Sequence, residues 1–104
     1  MKKNIVALTI SGCELCASFK ELLRSNNIPH HELDANVHSV MSDKVEVILG
    51  VYHYPILILT DDTADITYCY RTTENALLGH RILPTGDHAY GFFTLGELFN
   101  HINK

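Results

Sequence analysis

This chain is short of positive charge. Its 104 residues hold 8 Lys and Arg against 12 Asp and Glu, for a formal net charge of −4. Nucleic acid and anionic membrane surfaces both need a basic face, so neither is expected as a partner. No apolar run reaches the length of a membrane-spanning helix. Lys2-Lys3 and the apolar residues after them have the outline of a signal peptide. The run is too short, however, and it meets Ser11-Gly12-Cys13 without a small-residue cleavage site. Low-complexity stretches and internal repeats are absent. Charged residues make up 19% against 46% hydrophobic, which argues against a disordered chain. Cysteine is scarce as well: there are three, an odd number for a secreted disulfide scaffold. The expectation is a cytoplasmic, monomeric protein of one domain, residues 1–104, with enough length for one core.

What is present is a pair of thiols in a telling place. Cys13-Glu14-Leu15-Cys16 follows the apolar run Ile5-Val6-Ala7-Leu8-Thr9-Ile10 and precedes a helical pattern. A strand that delivers C-x-x-C to the first turn of a helix is the layout of a thiol–disulfide oxidoreductase. First-turn N–H groups have no intrahelical acceptor, and the helix dipole is positive there. A thiolate at that end is stabilised and becomes a nucleophile near neutral pH. The second thiol is placed to attack the resulting mixed disulfide. Two other readings stay open. C-x-x-C can be half of a zinc site, although structural zinc takes four ligands and no second C-x-x-C or H-x-x-x-H follows. The cysteines could also be inert and buried.

The rest of the chain reads as alternating strands and helices. Residues 4–10 form a strand buried on both faces. Ser11 and Glu14 have capping-box spacing, which predicts a helix from near Cys13 with Leu15, Phe19, Leu22 and Leu23 inward and Lys20, Glu21 and Arg24 outward. Ile28-Pro29 opens a second strand to about Asp34. Residues 37–49 carry helical spacing and stop at Gly50. Ile56-Leu57-Ile58-Leu59 is a third strand, Asp61-Asp62 a turn, and Ile66 to Arg71 a fourth strand antiparallel to the third. Thr94 and Glu97 form a second capping box, followed by Leu95, Leu98, Phe99 and Ile102 at helical spacing. Between these lies residues 72–93, read as an atypical insertion. It holds a short helical signal at Glu74 to Leu78 and a turn at Pro84-Thr85-Gly86-Asp87. Leu77, Leu78, Ile82 and Leu83 are too many apolar residues for a loop wholly in solvent.

The order β-α-β-α-β-β-α, with C-x-x-C after the first strand, resembles the glutaredoxin branch of the thioredoxin-like fold. The resemblance covers residues 4 to about 71 and again 94–103. It rests on three segments: the C-x-x-C itself, Ile28-Pro29-His30-His31-Glu32-Leu33-Asp34, and the span from Gly50 through Pro55 to Ile56-Leu57-Ile58. It implies an α/β fold with a four-stranded mixed sheet and about three flanking helices. It also implies a cis bond before Pro55 and a Tyr54 backbone beside the cysteines that pairs with an extended thiol substrate. Some family features are missing. Glu14 and Leu15 replace the usual Pro and aromatic between the cysteines, and a carboxylate there disfavours the thiolate. His53-Tyr54 replaces Thr-Val before the proline. The Gly-Gly pair that holds the glutathione carboxylate is absent, as is a basic residue upstream of Cys13. Residues 72–93 stand in place of the former, and are expected to lie near the active site and weaken glutathione binding.

The function these features imply is a dithiol glutaredoxin-like oxidoreductase that reduces protein disulfides or glutathione mixed disulfides. Cys13 is the nucleophile and Cys16 the resolving thiol; His53, Tyr54 and Pro55 contact substrate. No tightly bound cofactor or metal is expected, and either glutathione or a flavoprotein reductase restores the dithiol. The alternative is a thioredoxin-fold scaffold that holds zinc or an iron–sulfur cluster through the same pair. Among the other candidates, His53 could hold a proton for the leaving thiol, with Tyr52 beside it in a polar-aromatic cluster. Cys69 reads as a packing thiol or a third redox thiol. His30 and His31 read as exposed strand residues, and Phe92 and Phe93 as core anchors for the last helix. His80, Arg81 and His88 are weaker candidates for contact with an anionic substrate.

Overall fold

The computed structural model describes residues 4–50, 53–72 and 76–102. Along the chain stand β1 (Asn4–Thr9), α1 (Glu14–Ser25), β2 (His31–Asp34), α2 (Ser39–Leu49), β3 (Ile56–Thr60), β4 (Ile66–Arg71), β5 (Ala76–Ile82), β6 (His88–Thr94) and α3 (Leu95–Ile102). The strands form one mixed sheet in the order β2-β1-β3-β4-β5-β6. Only β1 and β2 run parallel, joined through α1; every other neighbouring pair is antiparallel.

Alternation along the strands divides the core between two faces. Ile5, Ala7, Leu57, Leu59, Cys69 and Leu77 point to the face covered by Phe19 and Leu23 of α1 and by Leu98 and Ile102 of α3. Leu8, Ile56 and Tyr70 point to the other face, where Val45 of α2 packs. β1 and β3 therefore carry apolar side chains on both sides, which is why they read as near-continuous apolar runs.

The helix ends have physical causes. Gly50 closes α2 in the left-handed region, at φ 69°, and its N–H bonds to the Glu46 carbonyl at 2.7 Å. Thr94 and Glu97 make the expected reciprocal cap. The Glu97 N–H donates to Thr94 Oγ1 at 3.2 Å, and the Thr94 N–H donates to Glu97 Oε2 at 3.4 Å. The other expected capping box does not form. The N-cap of α1 is Cys13, whose sulfur accepts from the Cys16 N–H, while Ser11 Oγ turns away to Asp34 Oδ2 at 3.2 Å. Gly12, at φ 72°, reverses the chain between them, so Ser11 lies one residue outside the helix entrance.

The largest departure from expectation is the sheet, which has six strands rather than four. The element order is accordingly β-α-β-α-β-β-β-β-α. Within the span read as an insertion, Ala76–Ile82 and His88–Thr94 are strands β5 and β6, a hairpin that extends the sheet from β4. Glu74, where a helical signal was read, lies outside the described residues. Leu77 and Leu78 lie in β5, where a five-residue helical window could not outweigh a ready ladder on β4. Leu77 is buried and Leu78, Ile82 and Leu83 are partly so. Phe93 packs on the α1/α3 core, but Phe92 is not a core anchor: it points to the opposite face and is 67% exposed. Among the described residues no helix is long and apolar enough to cross a membrane.

Candidate active site

The cysteine-bearing end of the sheet lies where β1 ends and β3 begins. Leu8 pairs with Ile56, so Pro55 stands opposite Thr9, and the cysteine-bearing turn leaves β1 at that same end. Cys13 is half-exposed and Cys16 is buried, 1% exposed. Position explains the difference. Cys13 caps the helix from outside, whereas Cys16 lies one turn in, on the inward side shared with Phe19 and Leu23.

The two thiols meet different electrostatics. The Cys16 N–H donates to Cys13 Sγ at 3.1 Å, so one of the unpaired first-turn donors already points at the outer sulfur. That contact would strengthen with a thiolate. The Cys16 thiol is pushed up to about 12, first by burial and then by its hydrogen bond with Cys13. All three cysteines are free thiols. Cys69 is fully buried, and desolvation pushes it up to about 12 as well.

An open cleft of about 370 Å³ runs over the pair, lined by Ile10, Ser11, Gly12, Cys13, Glu14, Cys16, Ala17 and Lys20. Lys20 was read as an outward residue, yet it borders both this cleft and a neighbouring one of about 250 Å³ that includes Asp34. Its position was legible in the spacing: Lys20 is four residues after Cys16 and seven after Cys13, on one helix face. A second residue not singled out is Arg71. It ends β4, is 8% exposed, and in the β3–β4 register falls beside Pro55.

The segment before β3 is organised by its side chains. The Tyr54–Pro55 bond is cis and Pro55 is buried. Tyr54 sends its hydroxyl to α2, where it donates to Glu46 Oε1 at 2.7 Å and lies 3.2 Å from Ser42 Oγ. Its phenol is raised above the usual range, first by burial and then by the Glu46 carboxylate. The Tyr54 side chain is thus engaged by α2 rather than turned toward the cysteines. His53 is exposed and stacks on Tyr70, with ring centroids 5.7 Å apart. Tyr52 lies outside the described residues. His80 and His88 sit far along the sheet on β5 and β6, bonded to each other, and Arg81 pairs with Asp65. These three do not join the cysteines.

A family model, Glutaredoxin, matches residues 5–63, more than half of the chain. The chain belongs to the glutaredoxin family. The match contains the cysteine pair and Pro55 and ends before β4, so the β5–β6 hairpin lies outside it. No curated protein and no solved structure matches the chain. Membership places this glutaredoxin among the thiol–disulfide oxidoreductases.

Proposed function

We propose that this glutaredoxin is a dithiol reductase of protein disulfides or glutathione mixed disulfides. The asymmetry of its two thiols carries the reading: an outer sulfur that accepts a first-turn N–H, and an inner one that is buried and held protonated. Cys13 as thiolate attacks one sulfur of the substrate disulfide. A Cys13–substrate disulfide forms, the substrate S–S bond breaks, and the leaving sulfur takes the electron pair and then a proton. Cys16 next gives up its proton and attacks Cys13 Sγ. The Cys13–Cys16 disulfide forms and the second substrate sulfur departs as a thiol. The substrate gains two electrons and the protein loses two. Two glutathione thiols or a flavoprotein reductase restore the dithiol.

The burial of Cys16 suits this order. Before attack its thiol stays protonated and does not compete with Cys13. Once Cys13 is in a mixed disulfide, it no longer carries a charge that opposes ionisation of Cys16. The backbone of Tyr54 ahead of Pro55 supplies an N–H and a C=O for an extended substrate. Lys20 favours substrates with a carboxylate near the reacting sulfur. Among the described residues no group of three or more His, Cys, Asp or Glu of one chain is placed to hold an ion, so the metal-scaffold alternative would need ligands from outside the chain.

The test uses two substrates, a glutathione mixed disulfide and insulin, each with both reducing systems. Turnover of either, abolished by Cys13→Ser, supports the assignment. Cys16→Ser should accumulate a substrate adduct on Cys13 visible by mass spectrometry. An adduct on Cys16, or one that resolves through Cys69, overturns the roles. Stoichiometric metal in protein purified without chelator, with no turnover, would establish the scaffold reading instead.

A further inference from the structure

The two edges of the sheet are treated very differently. One edge, β2, has four residues and carries Glu32 and Asp34. Short length and charge are the usual protections of an exposed edge. The other edge, β6, has seven residues, His88-Ala89-Tyr90-Gly91-Phe92-Phe93-Thr94. It contains no Lys, Arg, Asp, Glu or Pro, and its register with β5 runs unbroken from Ile82↔His88 to Ala76↔Thr94. It therefore has no bulge to twist it away. Tyr90 is 73% and Phe92 67% exposed.

The direction of its backbone groups follows from the hairpin. The Leu83 N–H bonds to the Asp87 carbonyl at 2.9 Å. Antiparallel residues alternate between facing the partner strand and facing away. Ala89, Gly91 and Phe93 thus bond to β5, and His88, Tyr90, Phe92 and Thr94 turn their backbone groups outward. Thr94 spends its N–H on Glu97. The side chains of these same outward-bonding residues all lie on one face of the sheet.

We infer that β6 is a homodimer interface: two copies pair their β6 strands antiparallel about a two-fold axis at Gly91, forming one continuous sheet. In that register Tyr90 faces the partner's Phe92, and Phe92 faces the partner's Tyr90. Both pairs are of the hydrogen-bonded kind, and His88 opposite the partner's Thr94 extends them, for about six backbone bonds. The partner is a second copy because the strand is complementary to itself. Gly91 is its midpoint, an aromatic stands on each side, and the exposed Tyr90 and Phe92 rings each meet a ring of the partner. The strand bears no formal charge, so the net charge of −4 on each chain is not concentrated at the contact. An aromatic side chain buries about 150–250 Å², so four rings at these exposures contribute roughly 400–700 Å². The strand backbones and His88 and Thr94 carry the total toward the ~1,000 Å² of a specific contact. The dimer is accordingly expected to be of micromolar strength, in place of the monomer that the sequence suggested.

Sedimentation velocity of the full chain from about 1 to 200 μM tests this. The expected result is a concentration-dependent rise to twice the chain mass. Tyr90→Lys/Phe92→Lys should shift dissociation at least tenfold toward monomer with an unchanged circular dichroism spectrum. A second measurement fixes the register and does not depend on that variant. Non-hydrogen-bonded antiparallel partners stand about 4.5 Å apart at Cα, within disulfide range. A Cβ at Gly91 meets nothing within 4 Å in one copy. In a Cys13→Ser/Cys16→Ser background, Gly91→Cys should crosslink to a covalent dimer on mild oxidation. A chain that stays monomeric at 200 μM overturns the inference. So does a dimer that survives the two lysines, which would place the contact elsewhere, with the apolar groove of about 900 Å³ between α2 and the sheet as the other surface. Crosslinking through Ala89→Cys in preference to Gly91→Cys overturns the register.

Discussion

Cys13 and Cys16 are one helical turn apart, and that turn separates a half-exposed sulfur with a donor from a buried one. Alkylation at pH 7 should therefore modify Cys13 at least about tenfold faster than Cys16, since the thiolate is the reacting form. Iodoacetamide labelling mapped by mass spectrometry checks this, and equal rates would remove the basis of the proposed roles. Lys20 offers a second test at the same scale. Its ammonium borders the cleft over the cysteines and is open to solvent screening. Lys20→Gln should slow reaction with a glutathione mixed disulfide by about two- to fivefold, in line with ~0.5–1 kcal/mol for an exposed charge contact. The loss should shrink as salt is raised, whereas a rate loss indifferent to salt would mean that Lys20 acts through packing. These roles were only half legible in the sequence. The C-x-x-C spacing located both sulfurs at the start of the helix. Lys20 was read only as an outward charge, because its place on the helix face of Cys13 and Cys16 was not weighed.

At the scale of elements, the hairpin tests how closely β5 and β6 fit. A Cβ on Gly79 would come within 2.4 Å of the Phe93 ring, so the ring must move for any larger residue. Gly79→Ala should destabilise the protein by about 1–3 kcal/mol by overpacking, while Gly91→Ala, across the ladder, has open space and should cost far less. Urea denaturation of both variants makes the comparison. Similar losses would mean that β propensity and not the Phe93 contact decides the outcome. The hairpin also marks where sequence reading ran out. β1, β3 and β4 were legible because β-branched and apolar residues run together between clear breakers. The Thr94–Glu97 cap announced α3, and Gly50 announced the end of α2. In β5, Gly79, His80 and Arg81 interrupt the apolar residues, and in β6 the exposed pattern has no apolar alternation to detect. Both strands exist because β4 offers an edge, which is a tertiary cause that no local window contains. The Ser11 capping box failed for a related reason. The sequence spacing was correct, but Gly12 turned the chain first and left the cap to Cys13.

At the scale of the whole molecule, acid should weaken the fold through the extended half of the sheet. His80 is 3% exposed, lies 2.7 Å from His88 through ring nitrogens, and packs against Tyr68 and Tyr90. Its pKa is held below the ordinary histidine value, first by burial and then by His88. A base whose folded pKa is depressed takes up its proton more readily when unfolded. Stability is therefore full above the unfolded value, near 6.5, and falls as pH drops below it. Urea midpoints should decline between pH 7.5 and 5.5, and His80→Phe should flatten that decline. A decline of unchanged steepness in the variant would assign the acid sensitivity to other groups. The same extension of the sheet governs the third cysteine. With β5 and β6 in place, β4 is an interior strand, and Cys69 at its centre is 0% exposed under the α1/α3 layer. An exchange enzyme with a third reachable sulfur would be open to dead-end disulfides with its own active pair or with its substrates. Here the sheet acts as insulation: under the proposed function, Cys69 would stand aside from the exchange, buried on a strand that β5 keeps off the sheet edge. A thiol reagent should accordingly count Cys69 only after guanidinium has unfolded the chain, and a variant stripped of the hairpin's grip should expose it to oxidation first.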